Sequence, residues 1–451
     1  MQTEISNRPM KTYTYGQIWH IAFPILISTL MEQLIGMADA AFLGHVGEIE
    51  LGASALGGIF YISIFMLGLG FSIGAQILIG RRNGEGNYSR IGSIFYHGTA
   101  FLLLLSVVLF LATRAFAPSI LELIISSPEV CRATETYIYF RVPGFFFACV
   151  NAMFRAFYVG TTNTRTLTAN SVTMVLSNVV FNYLLIFGKC GLPELGIAGA
   201  AIGSTMAEAV STTFFIIYTR CRIDFAKYGL NRLPRIRLSM LGEVMSVSVW
   251  VMVQNFLSLS TWFLFFIAIE HIGPEQLAAT NIVRNISSFT FMTCIALGST
   301  ASTLASNLIG SGDTKAVMPM INRTIRLSFF VLVPLLALLA IFPSAVASIF
   351  TNDASLINTA RPVIYALVSS YIMIIPAEIY FHAVSGTGNT RTAFIIESLS
   401  LVLYTIYVCV VVLQLKAPLW LCWTCEHVYY VIMLSLSFFY MRSGRWIGKK
   451  I

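Results

Sequence analysis

The chain lacks the charged residues that a water-facing surface requires. Asp, Glu, Lys and Arg make up 11% of its 451 residues, whereas hydrophobic residues make up 57%. A soluble domain carries about 25% charged residues. The mean hydropathy of +0.79 agrees with this scarcity of charge. We therefore expect most of the surface to face lipid, and the composition excludes an ordinary soluble protein.

Two other features are missing from the sequence. The first residues, MQTEISNRPMKTYTYGQ, contain no apolar run with a small-residue cleavage site, so we expect the first long apolar run to be retained as a span. The eight Cys residues form no disulfide framework, and most lie inside apolar runs. CWTC at 422–425 has no Cys or His partners at metal-site spacing, so we interpret its cysteines as packing residues.

Long apolar runs, in contrast, are abundant. A transmembrane helix needs about 20 apolar residues, and short connections join most of the runs. The sequence therefore predicts an all-α membrane protein with twelve transmembrane helices. The twelve predicted spans lie at 18–43, 52–79, 92–113, 136–158, 167–188, 197–219, 244–269, 279–306, 325–350, 362–384, 393–414 and 419–441.

Lys and Arg are concentrated in every second connection. Because short cytoplasmic loops carry an excess of Lys and Arg, this asymmetry predicts that both termini are cytoplasmic. It also attributes the net charge of +8 to topology and not to nucleic-acid binding. The basic residues on the predicted cytoplasmic side are Arg8, Lys11, Arg81, Arg82, Arg90, Arg165, Arg220, Arg222, Lys227, Arg232, Arg235, Arg237, Lys315, Arg323, Arg326, Arg391, Arg442, Arg445, Lys449 and Lys450.

A seven-residue stretch occurs twice in the chain. It reads GTTNTRT at 160–166 and GTGNTRT at 386–392, which is 226 positions later. HVGEIELGASAL at 45–56 and HIGPEQLAATNI at 271–282 repeat with the same offset. The Gly, Asn and Thr residues of the seven-residue stretch suit a tight turn, so we predict a cytoplasmic turn after the fourth span of each repeat.

Each repeat holds six spans. An even number of spans returns the chain to its starting side, so the second repeat enters the membrane in the same sense as the first. Such parallel repeats, related by an axis along the membrane normal, are one plan of secondary transporters. We predict an N-terminal lobe at 1–218, a cytoplasmic linker at 219–240 and a C-terminal lobe at 241–451, related by pseudo-two-fold symmetry.

Acidic residues inside spans are functional candidates, because an ionisable residue at mid-span costs about 2.5–3.5 kcal/mol on insertion scales. Asp39 lies inside the first span, with Glu32 two helical turns before it, and Glu378 lies deep in the tenth. Burial disfavours the charged form of a carboxyl group, so Asp39 and Glu378 are predicted to alternate between a deprotonated state and a protonated or Na⁺-bound state. Pro24 and Pro376 lie near them and permit helix bending.

Three further acids within spans have two interpretations. An interhelical ion pair explains Glu208, Glu397 and Glu426 as well as a transport role does. Intramembrane arginines are available as partners, and one of them, Arg155, is alternatively a side chain that extends to the cytoplasmic edge. The three available arginines are Arg141, Arg155 and Arg284.

The fifth span is unusually polar. Asn178 and Asn182 are four residues apart and share a helix face. We interpret them either as hydrogen-bonding residues between helices or as oxygen ligands beside Asp39, completed by Ser204 of the sixth span. A proton requires only the carboxylate of Asp39, whereas Na⁺ requires several oxygens.

Several stretches resemble the multidrug and toxic compound extrusion (MATE) family of the flippase superfamily. They are ADAAFLGHVG at the end of the first span, SNVVFNYLLIFGKCGLPELGIAGAAIGS at 177–204, and the paired GTxNTRT loops. The likeness extends over residues 16–441. It implies two six-helix lobes around a central cavity and export of amphipathic, often cationic drugs in exchange for Na⁺ or H⁺.

The resemblance also implies site residues. Asp39 falls on the family's aspartate of the first span, and Asn178, Asn182 and Ser204 fall on positions that line its N-lobe cation site. Asp39 and Asn178 are metal ligands if Na⁺ is the coupling ion. The other implied positions are Glu378, on an acidic position of the tenth span in some members, and Pro24, which resembles a proline at which the first span bends.

This sequence departs from the family pattern at three positions. Some members carry Asp where Asn182 stands, and some carry an acid in the seventh span where this chain has Ser258. The C-lobe site is thereby reduced to Glu378, and Glu32 is an additional acid with a possible accessory role. We expect no catalysis, no cofactor beyond the transported Na⁺ or H⁺, a bacterial inner membrane location and function as a monomer.

Three alternatives remain open. A lipid-linked oligosaccharide or polysaccharide flippase of the same superfamily would need a strongly basic cavity, for which the intramembrane arginines are candidates. A membrane-embedded transferase would need Asp-rich metal motifs or a His/Asp cluster, whereas the cytoplasmic loops offer only isolated Asp224 and Asp313, and the six His are scattered. A channel would have little use for two dissimilar acidic sites.

Overall fold

The computed structural model describes residues 12–235 and 237–448, and in those ranges the regular structure is entirely helical. The basic residues Arg8, Lys11, Lys449 and Lys450, predicted to be cytoplasmic, lie outside the described residues. The α-helices are α1 (Tyr15–Gly44), α2 (Glu48–Gly84), α3 (Tyr88–Ile124), α4 (Pro128–Arg141), α5 (Gly144–Gly160), α6 (Arg165–Ile186), α7 (Gly196–Arg222), α8 (Leu238–Glu270), α9 (Pro274–Gly310), α10 (Val317–Ile341), α11 (Pro343–Ala347), α12 (Ala354–Gly386), α13 (Thr390–Tyr407), α14 (Leu419–Cys422) and α15 (Cys425–Arg442).

Within the described ranges, eleven helical stretches are long and apolar enough to cross a membrane. A twelfth span forms if α4 and α5, which meet at an angle of 54°, are counted together. Pro143 lies at this bend, where a residue without an N–H cannot continue the helical hydrogen bonds. The predicted all-α membrane fold with twelve spans is therefore confirmed.

Observed helix boundaries differ most from the predicted ones at the ninth span. The apolar run predicts a span at 325–350, whereas α10 begins at Val317 and ends at Ile341. The helix begins earlier than the apolar run, because the polar residues before that run are also helical. It ends before Pro343, which is the first residue of the short α11. Apolar runs locate spans, but they do not mark where backbone hydrogen bonding begins and ends.

The chain divides into two compact units. The N-terminal unit comprises Ile27–Ile79 and Asn87–Phe256, and its core includes Tyr61, Phe145 and Ile186. The C-terminal unit comprises Gly80–Gly86, the residues from Leu257 onward and the described residues up to Leu26. The predicted lobes at 1–218 and 241–451, which rest on symmetry and not on compactness, stay a prediction.

The repeated seven-residue stretch has the same packing role in each unit. Gly160 is the last residue of α5, and a Cβ there would lie 2.9 Å from the carbonyl oxygen of Gln76 on α2. Gly386 is the last residue of α12, and a Cβ there would lie 2.3 Å from the carbonyl oxygen of Ser302 on α9. Gln76 and Ser302 are also 226 positions apart. The glycines therefore permit equivalent close approaches between helix backbones.

The turn after each of these glycines contains a left-handed residue at the equivalent position. Gly388 has a φ of +85°, and Thr162, which lies 226 positions earlier, has a φ of +61°. A β-branched residue in this region is strained by about 1–3 kcal/mol, whereas Gly adopts it without a steric penalty. The predicted tight turn is present in both repeats, with α6 and α13 beginning immediately after it.

We expect Thr162→Gly to stabilise the protein by about 1 kcal/mol and Gly388→Thr to destabilise it by about 1–3 kcal/mol, because only the first substitution removes left-handed strain. The apparent melting temperature of the purified protein in detergent measures both changes. Equal melting temperatures for wild type and Gly388→Thr would contradict the left-handed conformation of this turn.

Candidate functional site

The first candidate site is built where α1, α6 and α7 of the N-terminal unit meet. Two glycines on one face of α7 bring it close to α6: a Cβ on Gly199 would lie 2.6 Å from the Leu185 backbone, and one on Gly203 would lie 2.5 Å from Oδ1 of Asn182. Small residues one helical turn apart are the usual means of close helix packing in membranes. The glycines of the GIAGAAIGS segment therefore position the polar residues of α6 and α7.

Asp39 of α1 is enclosed by three hydrogen-bond donors from the other two helices. Oδ1 of Asp39 accepts from Nδ2 of Asn182 at 2.5 Å and from Nδ2 of Asn178 at 3.2 Å. Oδ2 of Asp39 accepts from Oγ of Ser204 at 2.9 Å. An ionised carboxylate is an acceptor only, so this arrangement suits the charged form. The structure thus brings together Asp39, Asn178, Asn182 and Ser204, and their role in coupling stays a prediction.

The donors are themselves linked and buried. Asn178 donates to Oγ of Ser204 at 3.0 Å, and Asn182 donates to Oδ1 of Asn178 at 3.2 Å. Both asparagines have no exposed surface, and Oδ1 of Asn182 is a buried oxygen without a hydrogen-bond partner in the described part of the chain. An unpaired buried acceptor is costly, which makes this oxygen a natural ligand for a cation beside Asp39.

The two accessory candidates lie elsewhere along α1. Glu32, whose side chain is half exposed, forms an ion pair with Nη1 of Arg155 at 2.7 Å. Arg155 is therefore the partner of Glu32, and the extension of Arg155 to the cytoplasmic edge stays a prediction. Pro24 lies within α1, which runs without interruption from Tyr15 to Gly44.

The other intramembrane arginines have different surroundings. Arg141 pairs with Glu208 through both carboxylate oxygens, at 2.5 and 3.0 Å, which confirms the predicted interhelical ion pair for that acid. Arg284 lies over the ring of Phe266, with 5.4 Å between the guanidinium carbon and the ring centroid. The predicted pairing of acids and arginines thus holds for Glu208.

In the C-terminal unit, Glu378 of α12 is buried beside a histidine. Nε2 of His382, one helical turn further along α12, lies 3.3 Å from Oε2 of Glu378. The imidazole occupies space left by Gly298 of α9, where a Cβ would lie 2.5 Å from the ring. Sequence reasoning missed His382, although its spacing of four residues from a predicted acid was a usable signal.

Glu397 of α13 has hydroxyl partners and not an arginine. It accepts hydrogen bonds from Oγ of Ser258 on α8 and from the Tyr429 hydroxyl on α15, the latter at 2.7 Å. Glu378 lies within electrostatic range of both Glu397 and Glu426. The structure therefore adds a buried acid, Glu397, and a partly buried one, Glu426, to the C-terminal candidate site, which the sequence had reduced to Glu378.

Within residues 12–235 and 237–448, no group of three or more His, Cys, Asp or Glu side chains is arranged to hold a metal ion. The cysteines of CWTC, Cys422 and Cys425, are buried as free thiols. The carboxylate of Asp39 with its amide and hydroxyl neighbours is instead the kind of oxygen-rich site that binds a hard monovalent cation or a proton.

Comparison with protein families gives two matches on this chain. A family model described as MatE matches residues 24–184 and again residues 251–411. The matched segments begin 227 positions apart, which is 251 minus 24 and is close to the offset of the sequence repeat. Two copies of one family unit therefore account for most of the chain.

Known proteins resemble it over nearly the same extent. A probable multidrug resistance protein NorM of Thermotoga maritima is 27% identical over 84% of this chain and 82% of its own length. A probable multidrug resistance protein YoeA of Bacillus subtilis is 23% identical over 86% of this chain and 85% of its own length. A solved structure described as the outward-facing conformation of a multidrug resistance MATE family transporter shares the fold, with a TM-score of 0.87, 16% identity and 97% coverage of both chains.

Proposed function

The chain belongs to the MatE family of transporters, and on that premise we propose that it is a cation-coupled antiporter. It exports amphipathic, often cationic drugs and toxic compounds by alternating access, in exchange for Na⁺ or H⁺. It is a multi-pass membrane protein, and we assign it to a bacterial inner membrane, with both termini cytoplasmic and one chain as the working unit. The names of its relatives support multidrug efflux, and those relatives are bacterial.

The observation that carries this proposal is the enclosed carboxylate of Asp39. Its three donors come from α6 and α7 and leave an unpaired oxygen of Asn182 next to them. A bound cation takes the place of the hydrogen bonds that Asn178 and Asn182 donate to Asp39. The two amide groups then rotate, so that their oxygens face the cation. A proton needs only Asp39, whereas Na⁺ also takes the oxygens of Asn178, Asn182 and Ser204.

The driving force is sufficient for useful export. One charge crossing a potential of 100 mV gains about 2.3 kcal/mol, and one pH unit adds about 1.4 kcal/mol. For a neutral drug the sum, about 3.7 kcal/mol, supports a concentration ratio of a few hundred-fold for each exchanged ion. Exchange of one cation for a monovalent cationic drug moves no net charge, so only the concentration gradient of the coupling ion, about tenfold for one pH unit, drives its export.

The alternative, a lipid-linked oligosaccharide flippase, requires unpaired positive charges to hold a pyrophosphate. Arg141 is paired with Glu208 and Arg155 with Glu32, so two of the three intramembrane arginines are already neutralised by a carboxylate. The buried acids Glu378 and Glu397 and the partly buried Asp39 add negative charge to both units. The charge distribution therefore favours a cationic substrate.

Counterflow in proteoliposomes tests the proposal. The purified protein is reconstituted with ethidium as the transported cation, and a Na⁺ gradient and a pH gradient are imposed separately. We expect ethidium to move against its own gradient when one of the two cation gradients is present and not when both are absent. Ethidium movement that ignores both gradients would exclude cation coupling, and the gradient that drives movement identifies the coupling ion.

A further inference from the structure

A buried ion pair lies close to the Asp39 site and has a specific geometry. Nη2 of Arg141 is 2.5 Å from Oε1 of Glu208, and Nη1 of Arg141 is 3.0 Å from Oε2. Arg141 and Glu208 are both buried, with less than a tenth of the surface of each residue exposed. This two-point contact between a planar guanidinium and a carboxylate is the strong form of an ion pair.

The surroundings of the pair are shaped to hold it. The guanidinium carbon of Arg141 lies 3.9 Å from the centre of the Tyr61 ring, and the Tyr61 hydroxyl donates to Oε2 of Glu208 at 3.4 Å. A Cβ on Gly144 would lie 2.2 Å from Nη1 of Arg141 and 2.6 Å from Oε2 of Glu208. The Tyr61 ring in turn stacks on Phe145, with centroids 4.5 Å apart.

The pair is joined to the Asp39 site through α7. Glu208 is four residues after Ser204, so it lies one helical turn from the hydroxyl that donates to Asp39. Arg141 lies within electrostatic range of Asp39. The Tyr137 hydroxyl oxygen accepts a hydrogen bond from Arg141, and Tyr137 lies within electrostatic range of both Asp39 and Glu208.

The formal charges of this region add up to a single negative charge. Asp39 and Glu208 contribute −1 each and Arg141 contributes +1, while the phenols of Tyr61 and Tyr137 are neutral near pH 7. A buried site with one net charge is neutralised by one monovalent cation. A second cation would leave an uncompensated positive charge in a medium where isolated charges are costly.

We propose that Arg141 and Glu208 are a positioning pair whose charges neutralise each other and thereby limit the Asp39 site to one monovalent cation. Glu208 keeps Arg141 from acting as the counter-ion of Asp39, and Arg141 keeps Glu208 from acting as a second cation site. The inference rests on the proposed function, in which Asp39 binds the coupling cation.

If the pair only stabilised the fold, the two single substitutions would not shift the cation dependence in opposite directions. Buried ion pairs contribute little net stability, and replacement of both partners by apolar residues is often neutral or stabilising. The double variant Arg141→Met/Glu208→Leu is therefore expected to fold, and it preserves the single net charge. The two single substitutions change the net charge in opposite directions, from −1 to 0 for Glu208→Gln and from −1 to −2 for Arg141→Met.

The experiment measures, in the ethidium proteoliposome assay, the concentration of the driving cation that gives half-maximal exchange. For Glu208→Gln we expect a concentration at least tenfold higher, because Arg141 then neutralises Asp39. For Arg141→Met we expect a concentration at least threefold lower or a doubled number of cations per ethidium. The double variant is expected within threefold of the wild type. Changes in the same direction in both single variants, or no change in either, would overturn the proposal.

Two matched controls separate charge from folding. Gly144→Ala displaces the pair without changing any charge, and we expect a half-maximal concentration within threefold of the wild type. Gly58→Ala, whose Cβ has no atom within 4 Å, is its control and is expected to match the wild type. Arg114→Met removes an arginine that stacks on Tyr139 at 3.4 Å in the same unit and is also expected to have no effect. A Gly144→Ala shift as large as that of Glu208→Gln, or an Arg114→Met shift equal to that of Arg141→Met, would contradict the inference.

Failure of this inference is distinguishable from failure of the proposed function. If Asp39→Asn retains full coupled exchange, the proposed function is wrong, because Asp39 then does not bind the coupling cation. If Asp39→Asn abolishes exchange while Glu208→Gln leaves the cation dependence unchanged, only the role of the Arg141–Glu208 pair is wrong.

Discussion

Asp39→Asn is expected to abolish cation-driven export of ethidium, with exchange at the level of protein-free vesicles. The substitution keeps the size of the side chain and removes the negative charge that a proton or Na⁺ neutralises. The amide groups of Asn178 and Asn182 can rotate to satisfy the new side chain, so the fold is expected to survive. Ethidium efflux driven by the imposed cation gradient measures the effect.

Graded variants provide the controls for this loss. Ser204→Ala removes one hydrogen bond to the carboxylate, worth about 1 kcal/mol, so the half-maximal cation concentration should change about fivefold. Glu378→Gln should impair export without abolishing it, because Asp39 and its donors remain. A melting temperature equal to that of the wild type shows that Asp39→Asn is folded. Full drug export by a folded Asp39→Asn protein would remove Asp39 from the mechanism.

Gly386→Ala is expected to cause a large loss of folded protein for the addition of one methyl group. The new Cβ would lie 2.3 Å from the carbonyl oxygen of Ser302 and 2.7 Å from its Cα, and neither backbone atom can rotate away. The helices α12 and α9 must therefore separate. Overpacking of this kind costs about 1–3 kcal/mol and occasionally more, so the yield of monodisperse protein and its melting temperature should both fall.

Two other glycines are controls for Gly386→Ala: Gly160, at the equivalent position of the first repeat, and Gly16, which has open space around it. Gly160→Ala should be milder, because the nearest backbone atom, the carbonyl oxygen of Gln76, would lie 2.9 Å from the new Cβ, whereas that of Ser302 would lie 2.3 Å from a Cβ on residue 386. Gly16→Ala in α1, with no atom within 4 Å of the added Cβ, should match or exceed the stability of the wild type. A Gly386→Ala protein with unchanged melting temperature would show that α12 and α9 are not in backbone contact there.

The sequence predicted the transmembrane spans best, because each span depends only on the apolar residues of one continuous stretch. Lipid requires about 20 apolar residues for each span, so all twelve spans could be predicted from local composition. The bend between α4 and α5 at Pro143 was not predicted, because the run at 136–158 is apolar on both sides of the break. The close approach of Gly386 to Ser302 was also hidden, since the sequence indicated a turn glycine and not a helix contact.

By itself, the sequence determined the medium, the spans, the repeat and the acids that are costly to bury, because each depends on residue type and local spacing. Only the tertiary structure decided the partners of those acids. Asp39 meets residues more than 130 positions away, Glu208 meets Arg141, and Glu397 meets the hydroxyls of Ser258 and Tyr429. A buried carboxylate accepts any donor that helix packing brings within about 3 Å, and the sequence spacing between separate helices does not determine that distance.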